Sequence, residues 1–113
     1  MAQERIFPIF LDGATQLVTA AGSWNGETSR VVVTAASAAY AFALGDATIP
    51  GTLVSIMQDD ATGGAVTINV SSPVSGDTTF NQIVLDSLGE IVTLMWTGSE
   101  WFFMGSTEAT TVS

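Results

Sequence analysis

The stretch EIVTLMWTGSEWFFMG, residues 90–105, decides the fold class of this chain. Two apolar runs flank the pair Gly98-Ser99, and such pairs are typical of tight turns between strands. The stretch therefore predicts a β-hairpin made of residues 90–97 and 100–105. Because strand side chains alternate between two faces, Val92, Leu94 and Trp96 are predicted to share one face.

Both faces of the predicted hairpin are apolar. Trp101 and Phe103 share one face of its second strand, and Phe102 and Met104 share the other. A sheet with one face in water alternates apolar with polar residues. Two interpretations follow: a second subunit covers one face, or the chain covers both. The first predicts a homo-oligomer whose interface contains Trp96, Trp101 and Phe103.

Outward from the hairpin, apolar and β-branched runs recur every 10 to 15 residues, which is typical of all-β proteins. The sequence DDATGG, residues 59–64, is predicted to be a hairpin loop. We predict an all-β fold, a small antiparallel sandwich or barrel-like domain over residues 12–106, followed by a polar tail, residues 107–113. The further predicted strands are residues 15–20, 29–34, 39–44, 52–58, 65–71 and 80–85.

The amino-terminal segment, residues 1–11, contains the apolar run RIFPIFL. Pro8 restricts this run to an edge strand or an extended arm, because proline cannot donate to a sheet ladder. As an arm it would dock on a partner by strand addition. The candidate partner-binding residues are Arg5, Ile6, Phe7, Pro8, Ile9 and Phe10.

Composition limits the classes of function. The chain has a net charge of −9 with two arginines and no histidine or cysteine. Nucleic-acid binding depends on cations against phosphate, and anionic membranes also attract basic segments, so we predict neither partner. Thiol and imidazole chemistry are excluded by the residues present. We predict a protein that is not an enzyme and that takes no cofactor or metal.

Carboxylates remain as possible catalytic groups, since glycosidases use a pair of them. The candidates lie in or beside predicted turns, where aspartate is common for local hydrogen bonding, and we favour that role. The segment at residues 59–64 also lacks the ligand spacing of a calcium loop. These candidates are Asp59, Asp60, Asp77, Asp86 and Glu90.

Trp24 lies in the predicted loop AGSWNGET, residues 21–28. An exposed tryptophan can stack on a sugar, so Trp24 is the candidate glycan contact. The alternative is a ring folded onto the core.

The carboxy-terminal half combines four motifs: IPG at residues 49–51, AVTINV at 65–70, SGD at 75–77 and GEIVTLMWTGSEWFFMGS at 89–106. In this order they resemble a β-module of tailed-bacteriophage virion proteins, which is found in head decoration proteins, head fibres and tail fibres. The resemblance covers about half of the chain. The matching residues are Pro50, Gly51, Val66, Thr67, Ile68, Gly76, Asp77, Gly89, Val92, Thr93, Leu94, Gly98, Trp101 and Gly105.

The resemblance implies a non-enzymatic, homotrimeric virion component. A short acidic chain without shaft repeats is similar to the head decoration, or cement, proteins. These bind the outside of the capsid and bridge its subunits, so the implied partner is the major capsid protein, reached through residues 5–10. The alternative is a receptor-binding or carbohydrate-binding module of a tail fibre, with Trp24 at its contact surface.

Overall fold

The computed structural model describes residues 9–73, 82–106 and 111–112. These residues form strands and connections, and they contain no helix, which confirms the all-β prediction. No helix long and apolar enough to cross a membrane occurs among them. The strands are β1 (Gln16–Val18), β2 (Gly22–Ser23), β3 (Arg30–Thr34), β4 (Tyr40–Leu44), β5 (Leu53–Asp60), β6 (Val66–Val70), β7 (Gln82–Leu85), β8 (Ile91–Trp96), β9 (Trp101–Ser106) and β10 (Thr111–Val112).

The strands form two five-stranded sheets, which we call the first and the second sheet. The first has the order β1-β3-β5-β8-β9, and the second has the order β2-β4-β6-β7-β10. The first six strands alternate between the sheets. Within each sheet they pair in parallel, β1 with β3 and β3 with β5 in the first, and β2 with β4 and β4 with β6 in the second. The backbone of residues 16–70 therefore winds as a coil. The remaining four strands pair antiparallel.

The prediction of an antiparallel domain was wrong in this respect, because both sheets are mixed. The error lies mainly at residues 59–64, which were predicted to be a hairpin loop. Residues 59 and 60 instead end β5 in the first sheet, and residues 61–64 lead the chain to β6 in the second. Gly63 is required in this crossing, since a Cβ there would overlap the backbone of Ser37 and Ala38.

One cluster of buried side chains fills the space between the sheets. The predicted alternation of β6 is confirmed: Val66, Ile68 and Val70 are buried, while Thr67 and Asn69 are not. The same strict alternation occurs in β8. β6 and β8 therefore give one face to the common core, and burial of such apolar side chains is the main stabilising contribution.

Tyr40 links the two sheets at the start of β4. Its hydroxyl lies 3.0 Å from the carbonyl oxygens of Val18 and Thr34, and it accepts a hydrogen bond from the Thr34 N–H at 3.1 Å. Burial raises the pKa of this hydroxyl, because the charged phenolate would lose water. A side chain of the second sheet thus holds the ends of β1 and β3 in the first.

The described part of the amino-terminal segment belongs to the domain. Ile9 lies beside the start of β5, where its N–H donates to the Gly51 carbonyl at 2.8 Å and its carbonyl accepts from the Leu53 N–H at 3.0 Å. The Leu11 N–H donates to the Ser29 hydroxyl at 2.8 Å. Residues 9–11 are thus tied to the first sheet, while residues 1–8 of the predicted arm lie outside the described residues.

Candidate interaction surface

The outward face of the first sheet is apolar, and we call it the apolar face. Its longest row crosses four neighbouring strands, because the register pairs Leu17 with Val32, Val32 with Met57, and Met57 with Ile91. The inward neighbours of these residues are buried in the core, so this row points away from it. The apolar face consists of Leu17, Val32, Leu53, Met57, Ile91, Met95, Phe102 and Met104.

Several of these side chains are well exposed. Seven large hydrophobic residues of the described chain are exposed, and four of them belong to this face: Leu17 at 74%, Met57 at 37%, Phe102 at 43% and Met104 at 54%. Scattered single apolar residues are ordinary on a protein surface. A contiguous apolar face is different, since it commonly marks a site of interaction.

A short polar row crosses the middle of the apolar face. Arg30 pairs with Ser55, and Ser55 pairs with Thr93. The two hydroxyls of Ser55 and Thr93 lie 3.0 Å apart and satisfy each other. Arg30 is exposed, and its Nε donates to the Thr15 hydroxyl at 3.3 Å. A partner could therefore cover this row without stranding the hydroxyls, provided that it offered an acceptor to Arg30.

The outward face of the second sheet has the opposite character. It presents the small or polar side chains of Ala41, Ala43, Asn69 and Gln82, all of them exposed, together with the half-buried pair Thr67 and Val84. The Gln82 amide donates to the Asn69 side-chain oxygen at 3.2 Å. This is the polar face that a sheet in contact with water is expected to have. The two outer faces of one molecule are thus clearly different.

The carboxylates avoid the rows of the apolar face. Among the described residues, seven of the eight lie in connections or at the core side of a strand, and Asp59 lies at the end of the face. There Asp59 accepts a hydrogen bond from the Thr34 hydroxyl at 2.6 Å. Among the described residues, Arg30 is therefore the charged residue within the rows of the apolar face, although the whole chain has a net charge of −9.

An open pocket of about 540 Å³ adjoins the polar row. Its lining is Phe10, Leu11, Asp12, Ser29, Arg30 and Ser55. Phe10 is 70% exposed and stands at the rim. The predicted partner-binding residue Phe10 therefore lies next to the apolar face. Arg5, Ile6, Phe7 and Pro8 are outside the described residues.

The aromatic residues singled out from the sequence lie in the core. Trp101 is fully buried, with its ring edge against Trp96 at 5.3 Å and against Trp24 at 5.7 Å between ring centroids. The Trp101 indole N–H donates to the Gly45 carbonyl at 3.0 Å, and that of Trp24 donates to the Thr28 carbonyl at 2.8 Å.

These positions bear on the predicted subunit interface and on the predicted glycan contact. Trp96 and Trp101 fill the core of the single chain, so neither side chain is available to a second subunit, and Phe103 packs against the same core. Trp24 has no open ring face on which a sugar could stack. The residues that sequence reasoning missed are those of the opposite parity, Phe102 and Met104, together with Leu17 and Met57 on other strands.

The candidate carboxylates have local structural roles. Glu90 is buried, and its Oε1 accepts the backbone N–H groups of Asp86 and Ser87, each at 2.7 Å. Asp60 accepts hydrogen bonds from the Thr62 side chain and from the Thr62 N–H, the latter at 2.9 Å, and both lower its pKa. Asp77 lies outside the described residues. In the part of the chain that the structure describes, no group of three metal-ligating side chains lies together.

Comparisons with known proteins identified no relative. No family model matches the chain, and neither a curated protein nor a solved structure matches it.

Proposed function

We propose that this chain is a capsid decoration protein that binds the outside of a bacteriophage head as a homotrimer, stabilises the capsid lattice and is not an enzyme. The observation that supports this proposal is the contrast between the two outer faces of one small domain. One face is apolar and nearly free of carboxylates, and the other presents mostly small or polar side chains. Such a domain has one surface suited to assembly and one suited to water.

The role also agrees with the charge of the chain. A net charge of −9 on each copy keeps particles dispersed when the protein covers them. When several identical copies form one assembly, the first contact with the capsid lattice raises the effective concentration of the other copies at their sites. Contacts that are weak one by one then give strong binding together. The resemblance to virion β-modules implies that three copies assemble.

The major capsid protein is the proposed partner, and the amino-terminal segment is the proposed contact. The described end of that segment supports this placement. Phe10 is exposed, and it stands over an open pocket lined by Asp12 and Arg30. An apolar segment that leads into such a pocket suits a partner that presents an extended, mixed apolar and acidic edge.

The alternative is a receptor-binding or carbohydrate-binding module of a tail fibre. Trp24 is buried, so its ring is not available for the sugar stacking on which the sequence argument for this alternative depended. The open pocket beside Phe10 keeps the alternative testable, because an aromatic ring next to Asp12 and Arg30 offers both stacking and hydrogen bonds to a sugar.

The test is binding to phage heads that lack decoration. Purified protein is mixed with such heads, the heads are sedimented, and bound protein is measured as a function of its concentration. We expect saturable binding and greater resistance of the heads to heat. Phe10→Ala should weaken binding, while Ala41→Ser on the second sheet should not.

A glycan array run with the same protein separates the alternative. Saturable binding to heads with no glycan signal supports decoration. A glycan signal that Phe10→Ala removes, with no binding to heads, would overturn it in favour of the tail-fibre module.

A further inference from the structure

We propose that the apolar face is the surface through which copies of this chain bind one another. The inference rests on the proposed function only in requiring that copies assemble. It assigns that contact to Leu17, Met57, Phe102 and Met104, rather than to the buried tryptophans of the same sheet.

The size of the face indicates what can cover it. Five strands about 4.8 Å apart, with about six residues each at ~3.3 Å per residue, give a projected footprint of about 500 Å². Side-chain relief raises the accessible area above this footprint, towards the ~800 Å² that each partner gives to a standard interface. An extended peptide would cover little more than the width of one strand. Folded domains of the same dimensions cover it, and in the proposed trimer the three apolar faces meet around the threefold axis.

The charged groups at the face fit further copies of this chain as those domains. Two molecules of net charge −9 repel each other, and they can approach most closely where neither carries carboxylates. The rows of the apolar face meet this condition. Arg30 then needs an acceptor from the partner, and a copy of this chain carries Asp59 at the margin of the same face.

The polar groups on the face are compatible with burial. The hydroxyls of Ser55 and Thr93 already bond each other at 3.0 Å, so covering them leaves neither without a partner. The methionines Met57, Met95 and Met104 add flexible apolar side chains, which adapt to an opposing surface more readily than branched ones. The face can therefore become a dry interface without rearranging the strands beneath it.

The experiment measures the mass of the purified protein, without capsids, by sedimentation over a range of concentrations. We expect the wild type to associate, and Met57→Asp and Phe102→Asp each to raise the dissociation constant at least about 30-fold, the effect of a hot-spot residue. Ala41→Asp is the matched control, because it puts the same charge on the outer face of the second sheet. It should associate as the wild type does.

Melting temperatures of all four proteins at low concentration separate dissociation from misfolding. Both substituted residues are exposed, so the monomers should remain folded. A wild type that is monomeric at 100 times the concentration used for head binding overturns the inference, even where it coats heads. So does a Met57→Asp protein that is folded and still associates. Association without head binding supports the inference and contradicts the proposed function.

Discussion

Replacing Tyr40 with phenylalanine isolates the link between the two sheets. The change removes one hydroxyl, which accepts from the Thr34 N–H and donates to one of the carbonyls of Val18 and Thr34. Two neutral hydrogen bonds at ~0.5–1.5 kcal/mol each give an expected loss of about 1–3 kcal/mol in the free energy of unfolding at neutral pH. At roughly 4 °C per kcal/mol, the melting temperature should fall by about 4–12 °C.

The same residue makes a prediction at alkaline pH. Burial raises the pKa of Tyr40 in the folded state, so the folded chain holds this proton more tightly than the unfolded chain does. The stability that this provides is complete below the ordinary tyrosine pKa of 10.0 and is lost as pH rises through the folded-state value. The chain has one tyrosine and no lysine, cysteine or histidine. Side-chain ionisation near pH 10 is therefore that of Tyr40 alone.

The assay is urea unfolding at a series of pH values from about 8 to 11.5, for wild type and Tyr40→Phe. The free energy of unfolding of the wild type should decline above pH 10, and that of the variant should stay level. Tyrosinate absorbance during titration of the folded wild type gives the pKa directly. A variant as stable as the wild type at pH 7, or a parallel decline in both proteins, would refute the assignment of Tyr40 as the link.

Two further predictions concern the core and the acid range. Trp101→Ala should lower the free energy of unfolding by about 3–5 kcal/mol, because it empties a fully buried site. Phe102→Ala, one residue away, should lower it by about 0.5 kcal/mol or less in dilute solution. Denaturant titration compares the two variants, and equal losses would contradict the assignment of Trp101 to the core and Phe102 to the surface. The hydroxyls of Ser71 and Ser72, at 2.5 and 2.7 Å from Asp46 Oδ1, lower the pKa of Asp46 from 3.8, so its contribution to stability is present above that pH and lost as pH falls through the folded-state value. Asp46→Asn should flatten the acid side of the stability profile, and an unchanged profile would count against this role.

The longer strands were predictable from sequence because their core faces show a simple alternation, whereas β2 and β10 fall in the predicted loop and tail. Val66, Ile68 and Val70 needed no information from elsewhere in the chain. The partners of the strands were not predictable in the same way. The turn residues at 59–64 suit a hairpin and a crossing between sheets equally, so the local sequence did not distinguish them. The near-continuous apolar run of β3, RVVVT, was the available signal, since such runs are typical of parallel strands.

The candidate surface was half predictable. The parity of the hairpin was correct, and its two-sided apolar character correctly indicated that one face is left exposed. Which of the two hairpin faces points into the core depends on contacts with residues far away in the sequence. Trp101 is buried because Trp24 packs on its ring and Gly45 accepts its N–H, and neither contact can be read from the hairpin itself. The prediction that Trp96 and Trp101 lie at an interface did not take these core contacts into account.

The change of strand direction after β6 bears on whether this protein can polymerise. A coil of parallel strands has open ends, and another coil could stack on either one to grow a fibre. At one end the antiparallel strands β7 to β10 replace the next coil, with a register shift in the pairing of β8 with β9. At the other end β1 and β2 have only three and two residues. Such short edge strands offer little backbone for pairing, which disfavours growth at that end, whereas assembly through side chains can stop at a closed number of copies.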